Sequence, residues 1–203
     1  EPNAVHIYPD TIDLNRKLAI ISETDKAVNA AIKSSYSAQY AYYDVDQNII
    51  VAASDGTWAE DRRITTRLRN RFTVSNGMES TGTFVDFTRP QGFEAFSGLP
   101  QISQFISNVK EWEESLFADT APKGRFPVVF EGGACVGTFF HEACGHQLET
   151  TNMQSESAYF RDKLGKKIAS DKVTLIDDGT IPNMYGSSKY DDEGMPRQKN
   201  VLI

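Results

Sequence analysis

The sequence predicts an α+β fold in which antiparallel sheets carry helices packed on one face and the chain forms two subdomains. Apolar residues recur at helical spacing over 14–32 and again over 100–117. Between these helices, stretches of alternating polar and apolar residues are separated by turn-forming residues, which is the pattern of an antiparallel meander. Proline and glycine at 121–124 mark a boundary, so we expect one domain over 1–121 and a second over 122–203.

The two long helices are predicted from their apolar stripes. Asp13 can cap the first helix, which is expected to run from Leu14 towards Ile32. The polar run 22–25 leaves two alternatives open, one continuous helix or two shorter ones. The second helix carries an apolar and aromatic stripe that core packing explains in full.

The strands between the two helices are predicted from alternation and from turn residues. Tyrosine and alanine recur at every second position over 36–42, and we expect a hairpin turn at 44–48 with a returning strand at 49–53. A strand with a basic outer face is predicted at 62–74, and another strand at 81–87. Asp-Gly and Asn-Gly pairs, which suit tight hairpins, lie in the connections on either side of the basic strand.

For the second subdomain, the sequence predicts short elements around one helix. The expected elements are a buried strand at 126–130, a helix at 135–149, a strand at 173–176 and a last strand beginning at Val201. The acidic residues at 177–178 and 191–193 are interpreted as turn residues in preference to substrate contacts.

Composition and charge exclude several functions. The chain has 203 residues, of which 39% are hydrophobic and 24% charged, as in a folded domain. Its 21 basic and 28 acidic residues give a net charge of −7, which disfavours nucleic acid as a partner. The basic run 62–71 is interpreted as a solvated sheet face. Because no apolar stretch approaches the ~20 residues of a membrane span, we expect no membrane partner.

The cysteine content suggests a cellular compartment, and the chain ends suggest that the sequence is part of a longer protein. Two cysteines, Cys135 and Cys144, are too few for a disulfide scaffold and fit a reducing compartment, so we expect a cytoplasmic protein. The chain starts without methionine and stops inside an apolar run, which indicates a piece of a longer protein.

Two of the three histidines form the motif with the clearest chemistry. His141, Glu142 and His146 make the pattern H-E-x-x-x-H, which is one residue longer than the zinc-peptidase pattern H-E-x-x-H. Five residues on a regular α-helix rotate the second side chain about 140° away from the first. We therefore predict a π-type widening of the helix or an end of the helix near Gly145, either of which brings both imidazoles to one metal.

Bound zinc would give these residues distinct roles. His141 and His146 are the candidate metal ligands, and Glu142 is the candidate general base that takes a proton from a zinc-activated water. A catalytic zinc usually has three protein ligands. Cys144, Glu149 and a residue beyond Ile203 are the candidates for the third, and we favour the last.

The sequence resembles the TldD/PmbA family of metallopeptidases. The segments that carry the resemblance are FPVVFEGGACVGTFFHEACGHQLE at 126–149, VTLIDDGT at 173–180 and DDEGMPRQKNVLI at 191–203. The upstream half, with its turn at 54–56, is similar to the middle region of the family. His141, Glu142 and His146 match the TldD-like kind of member, which keeps the motif.

The resemblance implies a zinc-dependent peptidase that hydrolyses peptides or unfolded protein segments. It also implies that the third zinc ligand is a cysteine beyond residue 203, that the chain lacks the family's N-terminal region and C-terminal end, and that this fragment is inactive by itself. The expected assembly is a homodimer or a heterodimer with a PmbA-like partner. The alternative is a non-catalytic binding or regulatory subunit of such an assembly.

Overall fold

The computed structural model describes residues 3–156 and 158–203, and of residues 134–136 the backbone alone. The chain divides into two compact units. The first runs to Thr120 and takes in Asp178–Gln198, and the second consists of Ala121–Asp177 with Lys199–Ile203. The domain boundary near residue 122 stays a prediction for the whole protein.

The first unit is built on a three-stranded antiparallel sheet. Its strands are β1 (Ser35–Ala52), β2 (Trp58–Ser75) and β3 (Ser80–Arg89), in the order β1-β2-β3. β1 pairs with the whole of β2, whereas β3 pairs only with the half of β2 from Thr66 to Ser75. Together with the helices, this sheet confirms the predicted α+β class.

The hairpin turn predicted at 44–48 is wrong, because β1 continues through it. Asp46 lies opposite Ile64 in the ladder, and the guanidinium of Arg62 donates to its carboxylate with an Nε–Oδ1 distance of 2.8 Å. Asp44 is held by the ammonium of Lys17 at 2.6 Å. Cross-strand pairing and these ion pairs therefore keep a polar segment extended that has the composition of a turn.

The first helix, α1 (Leu14–Ala31), is continuous. Asp13 caps it as predicted, because its side chain accepts a hydrogen bond from the backbone N–H of Arg16 at 3.1 Å. The polar run in the middle does not break it. The hydroxyl of Thr24 is fully buried and donates to the carbonyl of Ile20 at 2.6 Å, so its polar group is satisfied inside the helix.

Both long helices of the first unit pack on the same face of the sheet. The second helix, α2 (Pro100–Ser115), begins where the aromatic stripe predicted it. One core joins residues of α1, α2, β2 and β3. Its most deeply buried apolar side chains are Ile20, Val28, Leu68, Val74, Phe87, Phe105 and Val109.

The basic run of β2 lies on the opposite face of the sheet, as predicted. From Ile64 to Val74 the even-numbered residues of the strand are buried, and Arg67, Arg69 and Arg71 occupy odd-numbered positions between them. Arg67 and Arg69 both bind the carboxylate of Asp86 on β3, each through two hydrogen bonds of 2.6–2.8 Å. Burial raises the pKa of Asp86, but the hydrogen bonds from Arg69 and Arg67 outweigh it and bring that pKa down to about 2.

The segment Asp178–Gln198 belongs to the first unit, where it contacts residues that are far away in sequence. Arg63 donates to the carbonyl of Tyr190 at 2.7 Å, and the Asn3 amide donates to the carbonyl of Ser187 at 2.8 Å. Asp191 closes a turn, as predicted, because it accepts from the N–H groups of Glu193 and Met195, both at 2.9 Å. The prediction of turn residues at 177–178 is wrong, because both residues lie in a short strand and the turn follows at 179–180.

The second unit consists of short elements. They are α3 (Ala134–Phe140), a π-helical turn at His141–Gly145, a 3₁₀ turn at His146–Leu148, α4 (Thr150–Met153), and the paired strands β4 (Ile176–Asp178) and β5 (Lys199–Val201). The strand predicted at 173–176 overlaps the observed strand β4 only at Ile176. No helix among the described residues is long and apolar enough to cross a membrane.

The buried strand predicted at 126–130 is wrong. The segment has no strand partner among the described residues, and Val129 is 96% exposed. Its only ring contact within the described part is a stack of Phe130 on Phe139 of α3, with centroids 5.2 Å apart. An apolar run becomes a strand only when another strand supplies the hydrogen-bonding partner, which this segment does not have here.

Candidate metal centre

A π-helical turn solves the spacing problem of the two histidines. The backbone N–H of His146 donates to the carbonyl of His141, five residues earlier, instead of to the residue four earlier. This wider turn places residue i+5 above residue i, so the two side chains point to the same side. The widening predicted from the motif is therefore present. It lies directly after α3, and Gly145 belongs to it with an ordinary helical φ of −58°.

The turn brings three possible ligand residues together. One ligand atom each from His141, Glu142 and His146 lies within 4.8 Å of the other two. The imidazole rings have centroids 4.3 Å apart and planes at 61°. Both rings and the carboxylate are accessible to solvent, so a metal ion and a water molecule can reach them.

The ring of His146 is held from behind by Glu149. Its Nδ1 lies 2.8 Å from Oε1 of Glu149, while its Nε2 lies 3.8 Å from Oε2 of Glu142. The bond at Nδ1 leaves Nε2 as the nitrogen that faces the cluster. A carboxylate bound to the far nitrogen of a histidine is the usual support of a metal-ligating imidazole, because it fixes the tautomer and the ring orientation.

Asn152 completes this support, and sequence reasoning missed it. Its amide nitrogen donates to Oε2 of Glu149 at 3.0 Å and to the backbone carbonyl of His146 at 2.6 Å. Asn152 stands in the short helix α4, whose first residue directly follows Glu149. In the sequence, Asn152 is only a polar residue six positions after His146. Its contact with His146 depends on the short helix that follows Glu149, so the sequence pattern alone did not indicate it.

The two nearby candidates for a third ligand do not join the cluster. Neither the sulfur of half-buried Cys144 nor the carboxylate of Glu149 belongs to the group within 4.8 Å among the described residues. Glu149 is engaged with His146 instead. The third ligand therefore stays a prediction, as a cysteine beyond Ile203. The side chain of Cys135 lies outside the described residues.

The donor set suits zinc. Imidazole nitrogens are common Zn²⁺ ligands, and one ring nitrogen of His141 lies within 4.8 Å of one ring nitrogen of His146. These two residues could therefore hold the ion, with Glu142 beside it and Glu149 behind one ring.

A pair of imidazoles with an adjacent carboxylate on one helix is a donor set that could hold a metal ion, as in zinc peptidases. Comparison with known families agrees. Residues 7–102 match the PmbA/TldA metallopeptidase central domain, and residues 123–203 match the PmbA/TldA metallopeptidase C-terminal domain. The chain belongs to the PmbA/TldD family of metallopeptidases, which confirms the resemblance of its motifs.

Individual relatives carry the same description. The chain is 33% identical over 199 residues to a metalloprotease TldD homolog of Haemophilus influenzae, covering 96% of this chain and 41% of the relative. It is 32% identical over 204 residues to a metalloprotease of Methanocaldococcus jannaschii, covering 97% of this chain and 43% of the relative. The chain thus spans about two fifths of the length of these curated relatives.

Proposed function

We propose that the protein containing this chain is a zinc-dependent metallopeptidase that hydrolyses peptides or unfolded protein segments. The observation that carries the proposal is the clustering of His141, Glu142 and His146 within 4.8 Å through the π-helical turn. Membership of a metallopeptidase family supports it, because the cluster lies within residues 123–203, which match the C-terminal domain of that family.

The residues of the chain would divide the chemistry among them. His141 and His146 would hold the ion through ring nitrogens, together with a cysteine from beyond residue 203. Bound zinc supplies Lewis acidity, which lowers the pKa of a coordinated water to about 7 and polarises a carbonyl.

Glu142 would act as the general base, and its surroundings support that role. Its carboxylate stands beside both imidazoles and is exposed, so an attacking water can donate its proton there. The same oxygen can then return the proton to the amine that leaves when the peptide bond breaks. Glu149 and Asn152 would keep the ring of His146 in place during these steps.

We further propose a cytoplasmic protein that acts as a homodimer or together with a PmbA-like subunit. The small number of cysteines supports the compartment. The exposed apolar run 126–130 supports an assembly, because such a run is normally covered by protein. Light scattering of the full-length protein, alone and mixed with a PmbA-like protein of the same organism, tests this. A monomer in both samples would contradict it.

The test of the peptidase proposal is a comparison of the full-length gene product with its Glu142→Gln variant. We expect about one zinc per chain in both proteins. We expect hydrolysis of a casein-derived peptide mixture to fall at least about 100-fold in the variant, since a positioned base contributes about 10²–10⁴-fold. Glu114→Gln, which changes an exposed glutamate of α2, is the matched control and should leave activity unchanged.

Three results would each overturn a part of the proposal. Zinc-free protein without hydrolysis would favour the alternative, a non-catalytic binding or regulatory subunit. Hydrolysis that survives Glu142→Gln unchanged would remove Glu142 from the reaction. Loss of zinc in the variant would make Glu142 a ligand and not the base.

A further inference from the structure

β1 is the outermost strand on one side of the three-stranded sheet. It lies first in the order β1-β2-β3 and has 18 residues, whereas β3 at the opposite edge has 10. The outer edge of β1 has no strand partner in the part of the chain that the structure describes. Every second backbone N–H and C=O group of a strand points away from a single neighbour, so an edge of this length presents a row of free donors and acceptors.

The sequence of β1 has none of the features that protect a free edge. Such edges usually carry lysine, proline or a bulge, which keeps another strand from pairing. β1 contains no proline, glycine, lysine or arginine, and its pairing with β2 continues over all 18 residues. Its two charged residues, Asp44 and Asp46, each form an ion pair with a neighbouring side chain. The stretch 36–43 has no charged residue, so nothing in its composition opposes a further strand.

Burial of the core-facing side chains also stops at β1. On β2 and β3 the side chains Leu68, Phe72 and Phe87 are at most 3% exposed. None of the 18 residues of β1 is buried. Its core-facing side chains pack against the same core but stay partly exposed, and they are Tyr36, Ala38, Tyr40 and Tyr42. A strand next to β1 would cover this row, and the burial of its apolar surface would be favourable.

The edge at β3 differs from the edge at β1. Val85 and Phe87 of β3 are buried, with 6% and 2% of their surface exposed. The backbone carbonyl of Asp86 accepts a hydrogen bond from the amide of Gln104 on α2 at 3.0 Å. Because α2 already packs on β3, the incomplete burial is a property of the β1 side of the sheet.

We propose that a further strand pairs with β1 along residues 36–43, and that it comes from the part of the same full-length protein outside this chain. The chain covers only 41% and 43% of the two relatives described above, so a full-length protein of that size has ample chain for such a strand. A strand of the same polypeptide also avoids the loss of translational freedom that a second copy would suffer.

The added strand has a definite chemistry. Because side chains of a strand alternate between its two faces, it carries aliphatic or aromatic residues at every second position, next to the row that begins at Tyr36. The proposal goes beyond the peptidase function and does not rest on it, and neither of its tests uses catalysis.

The first test is hydrogen exchange of the full-length protein, measured at single amides by mass spectrometry. In an edge strand every second amide lacks a partner and exchanges fast, whereas in a central strand all amides are protected. We expect every amide of 36–43 to exchange at least about 100-fold more slowly than in an unfolded peptide. The control is 66–75 of β2, which lies between two strands. Alternating fast and slow amides along 36–43 would overturn the proposal.

Photo-crosslinking identifies the neighbouring strand. The amino acid p-benzoylphenylalanine is incorporated in place of Ser37, an exposed residue of β1, in a mixture of light and heavy isotope-labelled full-length protein. We expect cross-links from position 37 to a segment outside the 203 residues, with the same label on both peptides. The same probe in place of Thr73, which lies opposite Ser37 on β2, should cross-link within the 203 residues, because β1 and β3 flank it.

Two cross-linking results would overturn the proposal. Products from position 37 that join a light to a heavy peptide would show that a second copy of the protein occupies the edge of β1. Products from position 37 that all fall within the 203 residues would show that this chain itself covers the edge.

Discussion

Nδ1 of His146 lies 2.8 Å from the carboxylate oxygen Oε1 of Glu149, three residues further along the chain. The second oxygen of the same carboxylate accepts a hydrogen bond from Asn152. This pair fixes which imidazole nitrogen faces Glu142 and the ring of His141. Glu149, which the sequence offered as a possible third metal ligand, therefore holds the candidate ligand His146 in place instead.

Removal of this support should weaken metal binding. We expect Glu149→Ala to lower the zinc affinity of the full-length protein about 10–100-fold, because the ring of His146 loses its fixed orientation. Glu149→Gln should lose less, since an amide oxygen can still accept from Nδ1–H. Competition with a zinc-binding dye measures the affinity. Glu156→Ala, an exposed glutamate nearby, serves as the control, and equal affinities for Glu149→Ala and Glu156→Ala would contradict the role of Glu149.

Gly145 tests the geometry of the π-helical turn. A Cβ atom at this position would lie 3.5 Å from Nδ1 of His141, an ordinary contact, and the φ of −58° suits any residue. Gly145→Ala should therefore bind zinc nearly as well as the unchanged protein. Gly145→Val adds two methyl groups beside the ring, and we expect about tenfold weaker binding from overpacking. Isothermal titration with zinc compares the two, and equally weak binding by both variants would show that the backbone of Gly145 matters instead.

Glu113 links α2 to the connection between α1 and β1. Its Oε1 accepts the backbone N–H groups of Lys33 at 2.8 Å and of Ser34. We expect Glu113→Ala to lower the free energy of unfolding by about 2–3 kcal/mol, because two N–H groups lose their partner. Urea unfolding followed by circular dichroism measures the change. Glu114→Ala, its exposed neighbour, should stay within about 0.5 kcal/mol, and a similar loss in both would contradict the prediction.

Asp86 should make stability depend on pH in the acid range. Its pKa falls from 3.8 to about 2 in the folded protein, so the folded state holds this proton less tightly than the unfolded state. The resulting stabilisation, about 2 kcal/mol, is complete above the unfolded pKa and is lost as the pH falls through about 4 to 2. Urea unfolding at intervals from pH 6 to pH 2 measures it.

The control for this pH dependence is Asp86→Asn. The variant should be less stable at pH 6, because Arg67 and Arg69 lose their shared anion. Between pH 4 and pH 2 its free energy of unfolding should fall less than that of the unchanged protein by about 2 kcal/mol. Parallel curves for the two proteins would assign the acid sensitivity to other carboxylates.

Some elements of the fold could be read from the sequence because their signals are local. α1, with its Asp13 cap, and α2 follow from apolar residues at helical spacing, and the alternation along β2 follows from the pleat of a strand. The motif around His141 even required a distortion of its helix, because no regular α-helix brings residues five apart to one side. The π-helical turn satisfies that requirement.

The sequence by itself therefore determined the two main helices, the alternating faces of the sheet and the residue types of the metal cluster, since each depends on neighbours within a few positions. Only the tertiary structure decided that β1 continues through 44–48, that 126–130 forms no strand, and that Asp178–Gln198 joins the first unit. The physical reason is the same for all three. Whether a segment is extended, paired with a strand or packed on a unit depends on hydrogen-bond and ion-pair partners that lie far away in sequence. Asp46 is bound by Arg62, and the carbonyl of Tyr190 accepts a hydrogen bond from Arg63.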